Sequence, residues 1–75
     1  MADFTLDASG LICPMPLLKT KLQLNAMKIG EELEVIATDE GSARDIPAFL
    51  KLSSHVLVST SESGGHYRFV IRRGE

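Results

Sequence analysis

Hydrophobic and polar positions change period several times along the chain, and each change marks an element. Phe4 and Leu6 alternate with Thr5 and Asp7 in a short strand that Ala8-Ser9-Gly10 breaks. After the Cys13-Pro14-Met15-Pro16 segment the spacing becomes helical to about Met27, with Lys28 near the negative end and Gly30 just beyond. Glu32–Ala37 alternates again, Leu33, Val35 and Ala37 on one face and Glu32, Glu34 and Ile36 on the other. The turn Thr38-Asp39-Glu40-Gly41 leads into a second helix, with Ile46, Phe49, Leu50 and Leu52 as its apolar side. Ser42 and Asp45 have the spacing of a capping box, and Pro47 predicts either a start near Asp45 or a kink. His55–Thr60 and Tyr67–Arg72 read as two more strands, joined by a turn over 61–66 that contains Gly64 and Gly65. The order β-α-β-α-β-β predicts an α+β fold: a two-layer α/β sandwich, with a mixed four-stranded sheet and two helices on one face.

The first helix carries more apolar surface than one sheet can cover. At about 100° per residue, Leu17, Leu24 and Met27, with Thr20, form one stripe. Leu18, Leu22, Ala26 and Ile29 form another, roughly opposite. We expect the first stripe to face the core and Leu18 and Leu22 to face outward. With Lys19 and Lys21 they form a candidate partner-binding surface. The alternative is that the second stripe wraps round to the edge of the core.

Composition narrows the chemistry. A chain of 75 residues, 44% hydrophobic, suggests one domain over residues 1–75. At this size only about 60% of the unfolded surface is buried, which leaves no room for an enclosed cofactor cavity. The net charge of −2 argues against direct nucleic-acid binding. No apolar run reaches membrane-spanning length, and the N-terminus lacks a basic signal region, so a soluble cytoplasmic protein is expected. A single cysteine excludes an intrachain disulfide and an internal dithiol. With two widely spaced histidines, it also argues against a structural zinc site. Thiol chemistry, if any, belongs to Cys13, and no cofactor or metal is implied.

Cys13 lies between an apolar pair and two prolines. Pro14 pushes it out of the helical region, as suits an N-cap, and then takes the first helical position itself. In that reading Met15 N–H is a free donor for a thiolate at the positive helix end, although Pro16 disfavours helical geometry at Met15. A later helix start would leave the sulfur at the same entrance. Helix N-termini lower cysteine pKa values, yet lone cysteines beside apolar pairs are also common packing filler. Local physics leaves both open. Lys19, Lys21 and Lys28 make residues 11–30 basic, whereas residues 31–45 are acidic. These are either ordinary solvated faces or a basic surface that steers acidic partners to Cys13. His55 and His66 read as surface or strand-end residues, and Asp39 and Asp45 as turn and cap residues. Arg68, Arg72 and Arg73 are candidates for contact with an acidic partner, or simply a solvated sheet face.

The run Asp7-Ala8-Ser9-Gly10-Leu11-Ile12-Cys13-Pro14-Met15-Pro16 resembles the Cys-Pro-x-Pro signature of the TusA/SirA sulfur-carrier family. Gly30-Glu31, Thr38-Asp39, Arg44-Asp45-Ile46-Pro47 and the Tyr67–Arg73 strand extend the likeness over nearly the whole chain. The resemblance implies a stoichiometric carrier, sulfurtransferase-like rather than an enzyme in its own right, that holds sulfane sulfur as a persulfide on Cys13. Pro14 and Pro16 would shape the site. Met15 stands at the variable position, where close relatives often carry an acid. The implied donors are a cysteine desulfurase or a rhodanese-type protein, and the acceptor is a further relay protein. The pathways implied are tRNA 2-thiouridine synthesis and the oxidation of reduced sulfur. A carrier that docks two partners in turn is expected to be monomeric. A non-catalytic interaction or regulatory module and a single-thiol redox sensor are the competing functions.

Overall fold

Six elements follow one another in the predicted order: β1 (Phe4–Ala8), α1 (Met15–Ala26), β2 (Glu32–Ala37), α2 (Glu40–Lys51), β3 (Val56–Ser63) and β4 (His66–Arg72). The computed structural model describes residues 2–75. The sheet order is β1-β2-β4-β3. β1 runs parallel to β2, and β4 pairs antiparallel with both β2 and β3. α1 therefore links parallel neighbours. α2 carries the chain past an empty place in the sheet, which β4 fills on its return.

Register sets the core. Leu33 pairs with Ile71 and Val35 with Phe69, so these four share one sheet face. Leu24 of α1, Met27 at its C-cap, and Ile46 and Leu50 of α2 pack into the same buried cluster, which puts both helices on that face. Each such side chain contributes roughly 1.5–3 kcal/mol by leaving water. The outer face holds the ion pairs Arg68–Glu34 at 3.3 Å and Arg72–Glu32 at 3.2 Å. Exposed pairs of this kind are worth about 0–1 kcal/mol, so the inner face decides the fold. Two arginines considered for an acidic partner are thus already neutralised by their own sheet.

Several boundaries differ from the sequence reading for local reasons. β1 runs on through Ala8, which is buried. The β3–β4 strands reach Ser63 and His66, because Gly64 (φ 57°) and Gly65 (φ 80°) complete a two-residue turn. Positive φ at both positions gives the twist that a tight hairpin needs. α2 starts at Glu40, with Asp39 rather than Ser42 as its cap. Its interior Pro47 neither delays nor ends it. Ser42, Ile46 and Leu50 are buried four residues apart, and that inner face outweighs one missing hydrogen bond. Leu52 lies beyond the helix end and is exposed rather than apolar lining.

α1 is closed from the far end of the chain. The Arg73 guanidinium donates to Leu24 O at 2.8 Å, to Asn25 O at 3.0 Å and to Met27 O. It thus takes the place at the negative helix end that the sequence suggested for Lys28. Arg73→Ala should lower stability in urea by about 1–2 kcal/mol, since charged donors are lost from several carbonyls. Arg68→Ala should cost less than about 1 kcal/mol. Equal losses would show that the helix end does not depend on Arg73.

Candidate functional site

The loop 9–14 that carries Cys13 is fixed at both ends. Leu11 N–H donates to Ala8 O at 3.2 Å, and Gly10 N–H donates to the Thr38 hydroxyl at 2.9 Å. Gly10 has φ 80°, the left-handed conformation that lets the chain leave β1 sharply. Met15 N–H donates to Ile12 O at 2.9 Å. It is therefore not the free donor to the sulfur that the sequence suggested. The cap of α1 is Pro14 rather than Cys13, with Met15 and Pro16 as the first helical residues. Pro16 disfavours helical geometry at the residue before it, yet the missing N–H groups fall where a helix start wastes none. Cys13 is left just outside the first turn, exposed and free.

The sulfur's neighbours come from the second helix. Cys13 N–H donates to Asp39 Oδ2 at 3.2 Å, and the same oxygen caps α2 by accepting from Ser42 N–H at 2.9 Å and its hydroxyl at 3.1 Å. The Cys13 thiol donates to Asp45 Oδ2 at 3.1 Å. Gly41 has little room beside this pair: a side chain there would meet Asp39 Oδ2 at 3.1 Å and Cys13 Cβ at 3.5 Å. Of the two readings of the lysine-rich segment, a basic surface around Cys13 is not what forms: its hydrogen-bonded neighbours are two carboxylates. Lys19 is exposed on α1, while the Lys21 ammonium lies over the Phe49 ring at 4.9 Å and joins α1 to α2.

These neighbours settle the direction of the thiol's acidity, which local sequence left open, against the lowering that a helix N-terminus alone would give. The hydrogen bond to Asp45 raises the Cys13 pKa first, followed by partial desolvation and the charges of Asp45 and Asp39; only Arg44 acts the other way. A helix terminus carries roughly half a charge, whereas each carboxylate carries a whole one at hydrogen-bond or near range. The carboxylates win. In the free protein these groups favour the protonated thiol over the thiolate.

The outward stripe of α1 adjoins the sulfur. Ile12 and Leu22 are 71% and 70% exposed, and Met15, Leu18 and Ile29 are exposed too. Leu24 and Met27 are buried and Leu17 packs against the core, so the two stripes divide as their spacing suggested. A groove of about 400 Å³ lined by Pro47, Leu50, Lys51, Ser53, His55 and Leu57 includes none of the Cys13 cluster. Chemistry at Cys13 is therefore surface chemistry.

Asp39 links acidity to stability. Its pKa is lowered, first by the Ser42 backbone N–H and also by the Cys13 N–H, against some desolvation. A depressed folded value means that the charged cap stabilises the fold above the unfolded pKa, and that this is lost as pH falls through the folded one. Asp39→Ala should lower the urea midpoint at neutral pH, and the gap to the parent should close as pH drops below roughly 4. A gap that ignores pH would mean that the carboxylate charge is not what holds the cap.

Comparison with known proteins places the sequence and the fold among relatives. The family described as Sulfurtransferase TusA matches residues 4–73. The sulfur carrier protein TusA of Allochromatium vinosum is 51% identical over 75 residues, covering 97% of this chain and 99% of the relative. The crystal structure of a SirA-like protein from Desulfitobacterium hafniense superposes with a TM-score of 0.82 at 22% identity, covering 96% of this chain and 99% of that one. The last match speaks for the fold alone, and the first two carry sequence as well. With Cys13-Pro14-Met15-Pro16 opening α1 in the matched span, the chain belongs to the TusA family of sulfur carriers.

Proposed function

We propose that Cys13 accepts sulfane sulfur from a cysteine desulfurase or a rhodanese-type donor, carries it as a persulfide, and hands it to a cysteine of an acceptor protein. The observation that carries this reading is a lone, exposed thiol on a loop pinned at Gly10 and Cys13, in a chain of this family. The sulfur transfer balances without an external oxidant or reductant. A Cys13 thiolate attacks the outer sulfur of R–S–SH; the bond from that sulfur to R–S breaks as the bond to Cys13 forms. R–S⁻ leaves with the electron pair and takes up a proton equivalent to the one Cys13 gave up. The reverse geometry, with Cys13 as leaving group, discharges the sulfur to the acceptor. No second cysteine exists to close an internal disulfide, so the load leaves only to another molecule.

The acceptor lies either on the route to 2-thiouridine in tRNA or on a route of sulfur oxidation, in a compartment reducing enough to keep the thiol free. Pro14, Met15 and Pro16 shape the entrance of α1, and Ile12, Met15, Leu18 and Leu22 offer the partner an apolar seat beside the sulfur, with Lys19 at its margin. A monomer suits this role, because either partner must reach the same small surface. The persulfide is the only added group; no cofactor takes part.

Incubation with a desulfurase and free cysteine, followed by intact mass measurement, should find one added sulfur that reductant removes and that Cys13→Ser never acquires. Leu18→Glu and Leu22→Glu should slow loading severalfold while leaving Cys13 alkylation by a small reagent unchanged. Failure to load from desulfurase and rhodanese donors alike would overturn the carrier reading. Equal slowing of alkylation and loading would remove the α1 stripe from it.

A further inference from the structure

Asp45 lies beyond the first turn of α2, and the Asp39 cap does not use it. Its two oxygens face different groups. Oδ2 accepts the Cys13 thiol hydrogen at 3.1 Å, while Oδ1 stands 3.7 Å from Arg44 Nε, too far for a hydrogen bond. The Arg44 side chain is 81% exposed and that of Asp45 is 36% exposed. Water therefore screens the ion pair, and the carboxylate keeps a side open to an arriving molecule. The charged groups acting on Cys13 are Asp45 and Asp39 on one side and Arg44 on the other.

This arrangement poses a problem for a carrier. The nucleophile in sulfur transfer is the thiolate, yet the free protein holds Cys13 as a thiol against a carboxylate. The persulfide formed on Cys13, once it ionises, also adds negative charge to a rim that already has two acids. Both difficulties have the same remedy, a cation brought by the partner. We propose, on the basis of the sulfur-carrier reading, that Asp45 is a positioning residue that latches Cys13: its carboxylate holds the thiol hydrogen in the free carrier, and a Lys or Arg side chain of the docked sulfur donor pairs with that carboxylate and releases the sulfur.

On release the thiol proton passes to water, and the thiolate attacks the outer sulfur of the donor's R–S–SH. The R–S bond to that sulfur breaks, and R–S⁻ takes a proton back from water. No electron enters or leaves the two proteins. The latch gives a surface thiol a low reactivity toward stray electrophiles and restores its reactivity where a donor is seated.

Asp45→Asn in the full chain separates this from a structural role, because two readouts should move in opposite directions. Alkylation of Cys13 by iodoacetamide, with no donor present, should quicken at neutral pH and its pH profile should shift to lower pH. A tenfold gain in thiolate fraction raises the rate by only about threefold, since a less basic thiolate is a weaker nucleophile. Single-turnover sulfur loading from a desulfurase should instead slow severalfold, because the donor's cation has lost its counterpart. Loading of the unaltered protein should weaken with added salt, and that of Asp45→Asn should respond less. Unchanged alkylation overturns the latch. Faster alkylation with undiminished loading overturns release by a partner cation, as does salt-insensitive loading of the unaltered protein. Slowing of both readouts assigns Asp45 a merely structural part and also overturns the proposal. If the unaltered protein takes no sulfur from any donor, the carrier reading has failed, and the alkylation profile alone still decides whether Asp45 holds the thiol.

Discussion

Oδ2 of Asp39 accepts from the backbone N–H of Cys13 and from both the N–H and the hydroxyl of Ser42, so one carboxylate oxygen ties the cysteine loop to the start of α2. The two helices lie on the same face of the sheet, and the loop that leads into α1 meets the start of α2 at this atom. Backbone groups at a helix start need partners, and a loop without secondary structure needs an anchor. Asp39 answers both needs at once. Ser42 is buried, so its hydroxyl cannot find water and is held to the same oxygen.

The joint also determines the character of the thiol. Sequence alone offered a cysteine at a helix entrance with lysines nearby, which left both a thiolate and an inert thiol open. Folding brings Cys13 against α2, and α2 arrives with Asp39 and Asp45. A half-charge at each helix start cannot offset two nearby carboxylates, so the protonated thiol is favoured. Low resting reactivity does not conflict with sulfur transport. On the proposed reading the carrier meets its donor on a shared surface, and the electrostatics that would then matter are those of the docked pair rather than of the free chain.

The outward stripe of α1 fits the same logic. A small core has one sheet face to fill, and Leu24, Met27, Leu33, Val35, Ile46, Leu50, Phe69 and Ile71 fill it. Leu18 and Leu22 remain outside because the opposite side of α1 has nothing left to pack against. They lie on the helix that Cys13 precedes, so the exposed apolar stripe follows directly from the loop that carries the sulfur.

Much of this was legible in the residues. Alternation in Glu32–Ala37 and Tyr67–Arg72, the paired stripes of α1 and the glycine-marked turns are local patterns, each set by backbone geometry over a few residues. They determined the element order, the division of α1 into inner and outer faces, and the family resemblance centred on Cys13-Pro14-Met15-Pro16. The start of α2 carries a local signal too, an aspartate followed at once by an acid, but Pro47 seven positions after Glu40 is a competing local signal for a later start or a kink. Other features lay beyond any local pattern. Arg73 closes α1 from the far end of the chain, and Asp45 reaches Cys13 from 32 positions away. Such contacts depend on how the helices cross the sheet, which no short window of sequence contains. The sequence by itself determined that one thiol would stand at the entrance of a helix. Only the tertiary structure decided its charge state, because the Coulomb field at an atom depends on distances in space, and here the nearest charges belong to another helix.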